Sequence, residues 1–392
     1  MKSQLKTPLK IVLACDAFYP YVDGVIKVVD NYYDQLTKQG CKCLLIIPKH
    51  KLNKSIKPNV IRVPNIYKWG GVYSSPIPQL SLHLKRCLNQ FKPDIVHIHS
   101  PFTIGKWLSK YCHKHHIPIV LTFHTKYKDE FDRILKFRWI RKFIFHYIMK
   151  VINRVDYVYV PNASVRKTLV TYGYLKSTVN VLHNATDMLP IPNKQGAITY
   201  INQTYKINSA YFVILFVGRI IEVKNIMLII RSLKILVEKN QQFQMVFIGD
   251  GSDRKKYENE INKLGLKSYC LFTGAINDSH ILAKFYARAN LLVVPSVFDN
   301  APIVLLEAAS QKTPTVCIRG SDAGSEIQDK KNGYLCNDDS VSLAKVLLYA
   351  LKNISQNEEC GINAYKTLYR SWDSVCDQVI KEYQKIIETK IK

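Results

Sequence analysis

The sequence predicts an α/β protein made of two doubly wound, Rossmann-like domains. Short, nearly continuous apolar runs alternate with amphipathic helical stretches along the whole chain. That alternation restarts once, after a polar interval near residue 200. A length of 392 residues is ample for two domains of ordinary size. Strands apolar on both faces and separated by helices belong to a parallel sheet covered on both sides.

In the first half "KIVLACD", "CLLIIP", "IVHIHS", "IVLTFH" and "YVYVP" read as strands. Between them, "VIKVVDNYYDQLTKQG", closed by Gly40, and "GKWLSKYCHKHH" carry helical spacing. The second half repeats the scheme with "YFVILFVGR", "FQMVFIGDG", "YCLFTG", "LLVVPS" and "PTVCI", and with "NIMLIIRSLKILVEKN" as a helix. We read residues 1–187 as the first domain, 188–208 as a proline-containing linker and 209–370 as the second domain. Residues 371–392 read as a terminal amphipathic helix returning to the first domain.

The "VLAC" before Asp16 has the look of a lipoprotein cleavage site, but the apolar stretch is too short for a signal core, so a buried first strand is expected. No run approaches the ~20 apolar residues of a membrane-spanning helix. Ten cysteines without a C-x-x-C pair point to reduced thiols rather than zinc or disulfides. The net charge of +26 is uneven. Residues 1–187 hold 30 basic and 10 acidic side chains, +20, against 26 and 20, +6, in the remainder. Such a field attracts polyanions, either nucleic acid or an anionic membrane, unless it reflects only a lysine-rich background.

In doubly wound sheets ligands bind outside the carboxyl ends of the strands, and the chemistry-bearing motifs fall there. "FVGRIIEVKN" places Gly218, Arg219 and Lys224 in a loop before a helix, which suits a phosphate. "FIGDGSDR" supplies Gly249 and Gly251, but lacks the third glycine of a dinucleotide fingerprint and fits an ordinary tight turn. "FTGAI" ends at Ile276, whose backbone is placed to meet a base edge. In "VFDNAPIVLLEAA" Pro302 should open a helix, with Asp299 or Asn300 as its cap and Glu307 in its second turn. Cations for a diphosphate, and acids that accept hydrogen bonds from sugar hydroxyls, describe a nucleotide-sugar pocket.

At these residues the sequence resembles the GT-B glycosyltransferases of family four. "VGRIIEVKN", "FIGDGSDR", "LLVVPSVFDNAPIVLLEAAS" and "NGYLC" follow that family's donor domain in order and spacing. The resemblance implies a cleft between the two domains and retention of anomeric configuration. It also implies no metal and no cofactor, the nucleotide-sugar (UDP-glucose foremost) being a substrate. Arg219 and Lys224 would hold the diphosphate, Glu307 the ribose, and Asp299 the donor sugar, where the family has glutamate. "NAP" replaces Pro-Phe-Gly, so Asn300 and Ala301 would line the donor site and Pro302 offers no N–H. In the first domain "FYPYVDGV" resembles the first loop, with Gly24 beside the phosphate, and His124 of "LTFHTKY" would act near the transferred sugar. His97 reads as structural.

The stretch "KFRWIRKFIFHYIMKVINR", residues 136–154, interleaves six cations with five aromatics and holds no acid. Such a helix lies on an anionic bilayer through residues such as Arg138, Trp139, Arg141 and Lys142, or else packs its apolar side and leaves its charges solvated. "TFHTKYKDEF" with "HIHSPFTIG" resembles most the family branch that glucosylates diacylglycerol on the cytoplasmic leaflet of the cell membrane. Capsule and exopolysaccharide transferases, with saccharide acceptors, share most of these motifs. Two rivals come from other classes. A nucleic-acid binder explains the charge but shows no recognised module, and an epimerase of this fold leaves the basic helix unexplained.

Overall fold

The computed structural model describes residues 8–19, 24–50, 57–69, 73–176 and 178–391. They form two compact units: residues 1–184 together with 372–392, and residues 185–371.

The first unit contains strands β1 (Lys10–Ala14), β2 (Lys42–Pro48), β3 (Val60–Val63), β4 (Asn65–Trp69), β5 (Tyr73–Pro76), β6 (Ile95–Ile98), β7 (Ile119–Thr122), β8 (Tyr157–Val160) and β9 (Val179–Val181). Its helices up to that point are α1 (Gly24–Lys38), α2 (Leu82–Phe91), α3 (Thr103–Lys114), α4 (Tyr127–Ile134), α5 (Arg138–Ile152) and α6 (Ala163–Thr171). Seven strands make a parallel sheet in the order β3-β2-β1-β6-β7-β8-β9, and β4 pairs antiparallel with β5. The "VLAC" segment lies in and just after β1, a central strand whose Ile11, Val12 and Leu13 are fully buried. Gly40, at φ +89, follows α1 in the left-handed conformation that ends helices. Ser81 and Asn162 accept from the backbone N–H groups of Leu84 and Val165 to cap α2 and α6. The short edge strands β3 and β9 have no counterpart among the strands read from the sequence.

The second unit runs α7 (Lys194–Tyr205), β10 (Phe212–Val217), α8 (Ile226–Glu238), β11 (Phe243–Ile248), α9 (Arg254–Lys263), β12 (Cys270–Gly274), α10 (Ser279–Arg288), β13 (Leu291–Val294), α11 (Ile303–Ser310), β14 (Thr315–Ile318), β15 (Tyr334–Cys336), α12 (Ser340–Lys352) and α13 (Ile354–Thr367). Its six parallel strands are ordered β12-β11-β10-β13-β14-β15. The last helix, α14 (Trp372–Ile391), belongs to the first unit. There Val379 and Tyr383 are fully buried, and the Lys390 ammonium lies 2.6 Å from the Asp156 carboxylate.

The segment 188–208 is not a linker, which corrects the sequence reading. Asn193 caps α7 through the N–H of Gly196, and Ile201 of that helix is fully buried in the second unit's core. The buried Arg288 guanidinium donates to Asn202 Oδ1 and to the carbonyls of Asn208 and Tyr211. Ahead of the helix, the Gln311 amide clamps the backbone of Leu189 and Ile191. The polar surface of α7 and the prolines before it hide a helix that needs few apolar anchors.

Candidate active site

Strand order reverses in the second sheet between β10 and β13, and that is where a doubly wound sheet opens a crevice at its carboxyl edge. Gly218 and Arg219 leave β10 there, and the loop to α11 leaves β13 beside them. The loops after β10, β11 and β12 are bonded backbone to backbone. Gly218 N–H donates to the Ile248 carbonyl, Ile220 N–H to Asp250, and Gly249 N–H to Gly274. A Cβ on Gly249 would sit 1.9 Å from the Gly218 oxygen, and one on Gly251 would sit 2.3 Å from the Ile220 oxygen. The G-x-G pair therefore serves close backbone approach, which fits the tight-turn reading. Ile276 follows β12 and is half-buried against the core.

Arg219 is exposed. Lys224 ends a short 3-10 turn, Glu222–Lys224, and its ammonium donates to both oxygens of Asp299, at 2.6 and 2.8 Å. The structure thus joins the cation expected for the diphosphate to the acid expected for the sugar. Asn225, in the left-handed conformation, donates from its side chain to Asp338 and to the Pro295 carbonyl, tying the segment after β10 to the loops after β15 and β13.

Neither Asp299 nor Asn300 caps α11. Pro302 itself occupies the cap position, in extended conformation and with no side-chain hydrogen bond, and Asn300 and Ala301 sit half-buried before it. The proline's fixed φ carries the chain straight into the helix, while Asp299 is drawn to Lys224. Glu307 lies in the second turn and is buried, and its Oε2 accepts from the Tyr286 hydroxyl at 2.7 Å. Burial, reinforced by the Glu307 charge, pushes the Tyr286 phenol well above its ordinary range, so it stays a donor. No sequence signal marked Tyr286, which reads as one more core aromatic of α10. On the expectation that Glu307 holds a ribose, Tyr286→Phe should keep the fold and weaken nucleotide binding by about tenfold, the worth of one hydrogen bond to a charged acceptor, ~1.5 kcal/mol. Titration calorimetry with UDP checks this; an unchanged affinity would mean Glu307 is held without the tyrosine.

In the first unit the reversal falls between β1 and β6. Asp16, just past β1, is buried and accepts from Ile104 N–H, Thr103 Oγ1 and Ser100 Oγ at 2.7, 3.0 and 2.8 Å. Burial lifts its carboxyl above the ordinary range, against the pull of the α3 N–H groups. Asp16 thus ties β1 to the start of α3. An acid directly after a buried strand was the available signal, and the sequence reading passed over it.

Three histidines gather at the carboxyl ends of β6 and β7. His97 is fully buried, with Nδ1 2.5 Å from the Tyr383 hydroxyl of α14 and Nε2 2.7 Å from Thr122 Oγ1, a structural role as expected. His99 is buried, and its Nδ1 lies 3.0 Å from Nε2 of the half-buried His124. Burial lowers all three, His97 to about 3, His124 to about 4 and His99 well below the usual value. The rings are neutral at physiological pH. Gly24 opens α1 with open space where a Cβ would stand, while residues 20–23 of the "FYPYVDGV" loop lie outside the described residues.

The basic aromatic stretch forms α5 from Arg138 to Ile152, and its two readings divide by face. Phe145 and Tyr147 pack against the first unit's core, and Ile148 and Ile152 are fully buried. Phe137, Trp139 and Phe143 are instead 61, 71 and 70% exposed, a degree unusual for large apolar side chains. Arg138 and Lys142 are exposed beside them. Arg141 departs from the expected membrane set: its guanidinium pairs with Asp132 of α4 at 3.0 Å, so it braces two helices. Among the described residues no helix is long and apolar enough to cross a membrane, and no group of three or more His, Cys, Asp or Glu side chains is arranged to hold a metal ion.

Residues 22–188 match the family described as "Glycosyltransferase Family 4", and residues 198–367 match "Glycosyl transferases group 1". The chain is 23% identical over 351 residues to the alpha-monoglucosyldiacylglycerol synthase of Streptococcus pneumoniae, covering 88% of this chain and 78% of that protein. It is 22% identical to the enzyme of the same name from Acholeplasma laidlawii, covering 91 and 93%. It is also 21% identical to a GDP-mannose-dependent alpha-mannosyltransferase of Corynebacterium glutamicum, covering 97 and 90%. Among solved structures, Anabaena HepE in complex with UDP superimposes with a TM-score of 0.76 at 16% identity, covering 96% of this chain and all of that one.

Proposed function

Because the chain belongs to the GT-B glycosyltransferases of group 1 and family four, we propose that it moves a hexose, glucose foremost, from a UDP-sugar to a membrane lipid hydroxyl such as that of 1,2-diacylglycerol. The anomeric configuration is retained, and the enzyme works at the cytoplasmic face of the membrane as a peripheral protein. The observation that carries the donor half is the Lys224–Asp299 pair at the switch point of the second sheet, with Arg219 in the loop after β10 and Glu307 in the helix after β13. Arg219 and Lys224 meet the charge that develops on the leaving diphosphate, so no metal is required. Glu307, held by Tyr286, accepts from the ribose hydroxyls. Asp299 accepts from a sugar hydroxyl once Lys224 turns to the phosphates, and His124 stands beside the transferred sugar. Gly24, Gly249, Ile276, Asn300 and Ala301 contribute backbone to the donor. The lipid acceptor draws its support from α5 and from the two relatives named as glucosyldiacylglycerol synthases.

Radiolabelled UDP-glucose, UDP-galactose and GDP-mannose, each incubated with a membrane lipid extract in the presence of EDTA, test the whole reading. Label from UDP-glucose should enter the organic phase. Label in a water-soluble saccharide instead moves the acceptor to a polysaccharide, conversion of the sugar without transfer makes the protein an epimerase, and a requirement for added metal removes the proposed role of the cations.

The membrane contact has its own test. Each basic residue near an anionic surface is worth ~1 kcal/mol within a Debye length of ~8–10 Å. The protein should therefore bind vesicles containing phosphatidylglycerol, bind neutral ones weakly, and leave as salt rises. Replacing Arg138, Trp139 and Lys142 by serine should abolish this binding and spare UDP affinity, whereas Arg141→Ser should disturb α4 instead. A preference for nucleic acid over such vesicles would reverse the assignment.

A further inference from the structure

The mutual orientation of His99 and His124 limits which of their nitrogens carry protons. His99 Nδ1 and His124 Nε2 lie 3.0 Å apart, so one ring donates and the other accepts. The rings are nearly parallel, 19° apart with centroids at 5.3 Å. His99 is also packed against the rings of His97, at 4.0 Å, and Tyr32, at 5.4 Å. Its remaining nitrogen, Nε2, is buried and has no hydrogen-bond partner among the described residues.

Two proton arrangements satisfy the 3.0 Å contact. If His124 donated from Nε2, His99 would accept at Nδ1 and carry its own proton on Nε2, a buried donor with no acceptor. If His99 donates from Nδ1, its Nε2 is a bare lone pair, and His124, accepting at Nε2, keeps its proton on Nδ1. Buried N–H groups without a partner are rarer and costlier than under-used acceptors. The second arrangement is therefore favoured, and burial of both rings keeps either from gaining a second proton near neutral pH.

We propose that His99 is a positioning residue that holds His124 in its Nδ1–H tautomer, so that His124 serves the transfer reaction as a hydrogen-bond donor and not as a general base. With Nε2 occupied by His99 and Nδ1 already protonated, His124 has no lone pair with which to take a proton from an acceptor hydroxyl. His97, fixed by Tyr383 and Thr122, supports the pair from behind. The inference rests on the reading that places His124 beside the transferred sugar, but the tautomer itself is a property of the free protein.

Two-bond proton–nitrogen NMR spectra of the ¹⁵N-histidine-labelled protein read tautomers directly, with the His124 signals assigned by their loss in His124→Gln. The expected result is a pyridine-type Nε2 and a protonated Nδ1 at His124. In His99→Phe the His124 signals should shift toward the other tautomer and turnover should fall about tenfold or more at unchanged donor KM, since a histidine in the wrong tautomer loses most of its catalytic value. His99→Asn, whose amide N–H replaces the Nδ1–H donor, should restore both. A protonated Nε2 at His124 in the wild-type protein overturns the proposal, as does a His99→Phe protein whose His124 spectrum and turnover are unchanged. Should His99→Phe fail to fold, the wild-type spectrum and His99→Asn still decide. Absence of any sugar transfer by the wild-type protein would remove the functional reading and leave the tautomer result standing, so the two failures are separable.

Discussion

Lys224→Ala should raise the dissociation constant for UDP by about tenfold to a hundredfold, the loss of a charge-assisted contact worth ~1.5–3 kcal/mol. The effect should exceed that of Arg219→Ala, because Lys224 is half-buried and Arg219 is exposed to screening. The ligand-free pairing of Lys224 with both oxygens of Asp299 sharpens the expectation. A diphosphate has to draw the ammonium away from that carboxylate or share it. Asp299→Asn removes the competing charge, so UDP should bind as well or better while sugar transfer falls, since the hydroxyl acceptor is weakened. Calorimetry with UDP, together with a turnover assay, separates the two residues. Equal UDP affinity in the wild type and both alanine variants would sink the donor site.

Acid should unfold this protein early. His97 and His99 are buried neutral, and the folded state holds them below the value of 6.5 they regain on unfolding. A depressed histidine binds its proton more readily when unfolded, so its contribution is complete above about pH 6.5 and is lost as pH falls toward the folded value, about 3 for His97. At pH 5 the loss is roughly 2 kcal/mol for His97, at 1.36 kcal/mol per pKa unit, and His99 adds to it in the same direction. Asp16 works in the opposite sense: its folded carboxyl holds a proton more tightly than the unfolded one, which offsets part of the loss at the acid end. Urea midpoints at pH 7.5, 6 and 5 should therefore fall steadily. A flat profile over that range would show that the histidines reach water or a partner in the folded protein.

The sequence by itself determined the layering of the molecule. Runs such as "FVILFV" and "FQMVFI" cannot be satisfied except by burial on both faces, so parallel strands with flanking helices follow from composition alone. It also determined where the chemistry collects, because a loop leaving a buried strand has only the carboxyl edge of the sheet to occupy. Arg219, Lys224, Asp299 and His124 were expected just past strand ends and lie there, with Glu307 in the helix that follows, while the roles proposed for them come from the family resemblance. Alternation is a local signal, so the helix Lys194–Tyr205, with few buried anchors and prolines before it, read as a linker.

Pairings between distant elements were decided only by the tertiary structure. Lys224 meets Asp299 across 75 residues because the strand order brings β10 beside β13, and no spacing along the chain encodes that. Arg141 turns to Asp132, and Phe145 and Tyr147 turn inward, only once α5 has docked with a fixed rotation about its axis. The proton arrangement of His99 and His124 depends on which nitrogen is left without a partner, and that is set by three rings packed at the ends of two strands. Side-chain types follow from the sequence; their partners follow from which elements the sheet makes neighbours, because hydrogen bonds and ion pairs act over about 3 Å and a chain learns its neighbours only by folding.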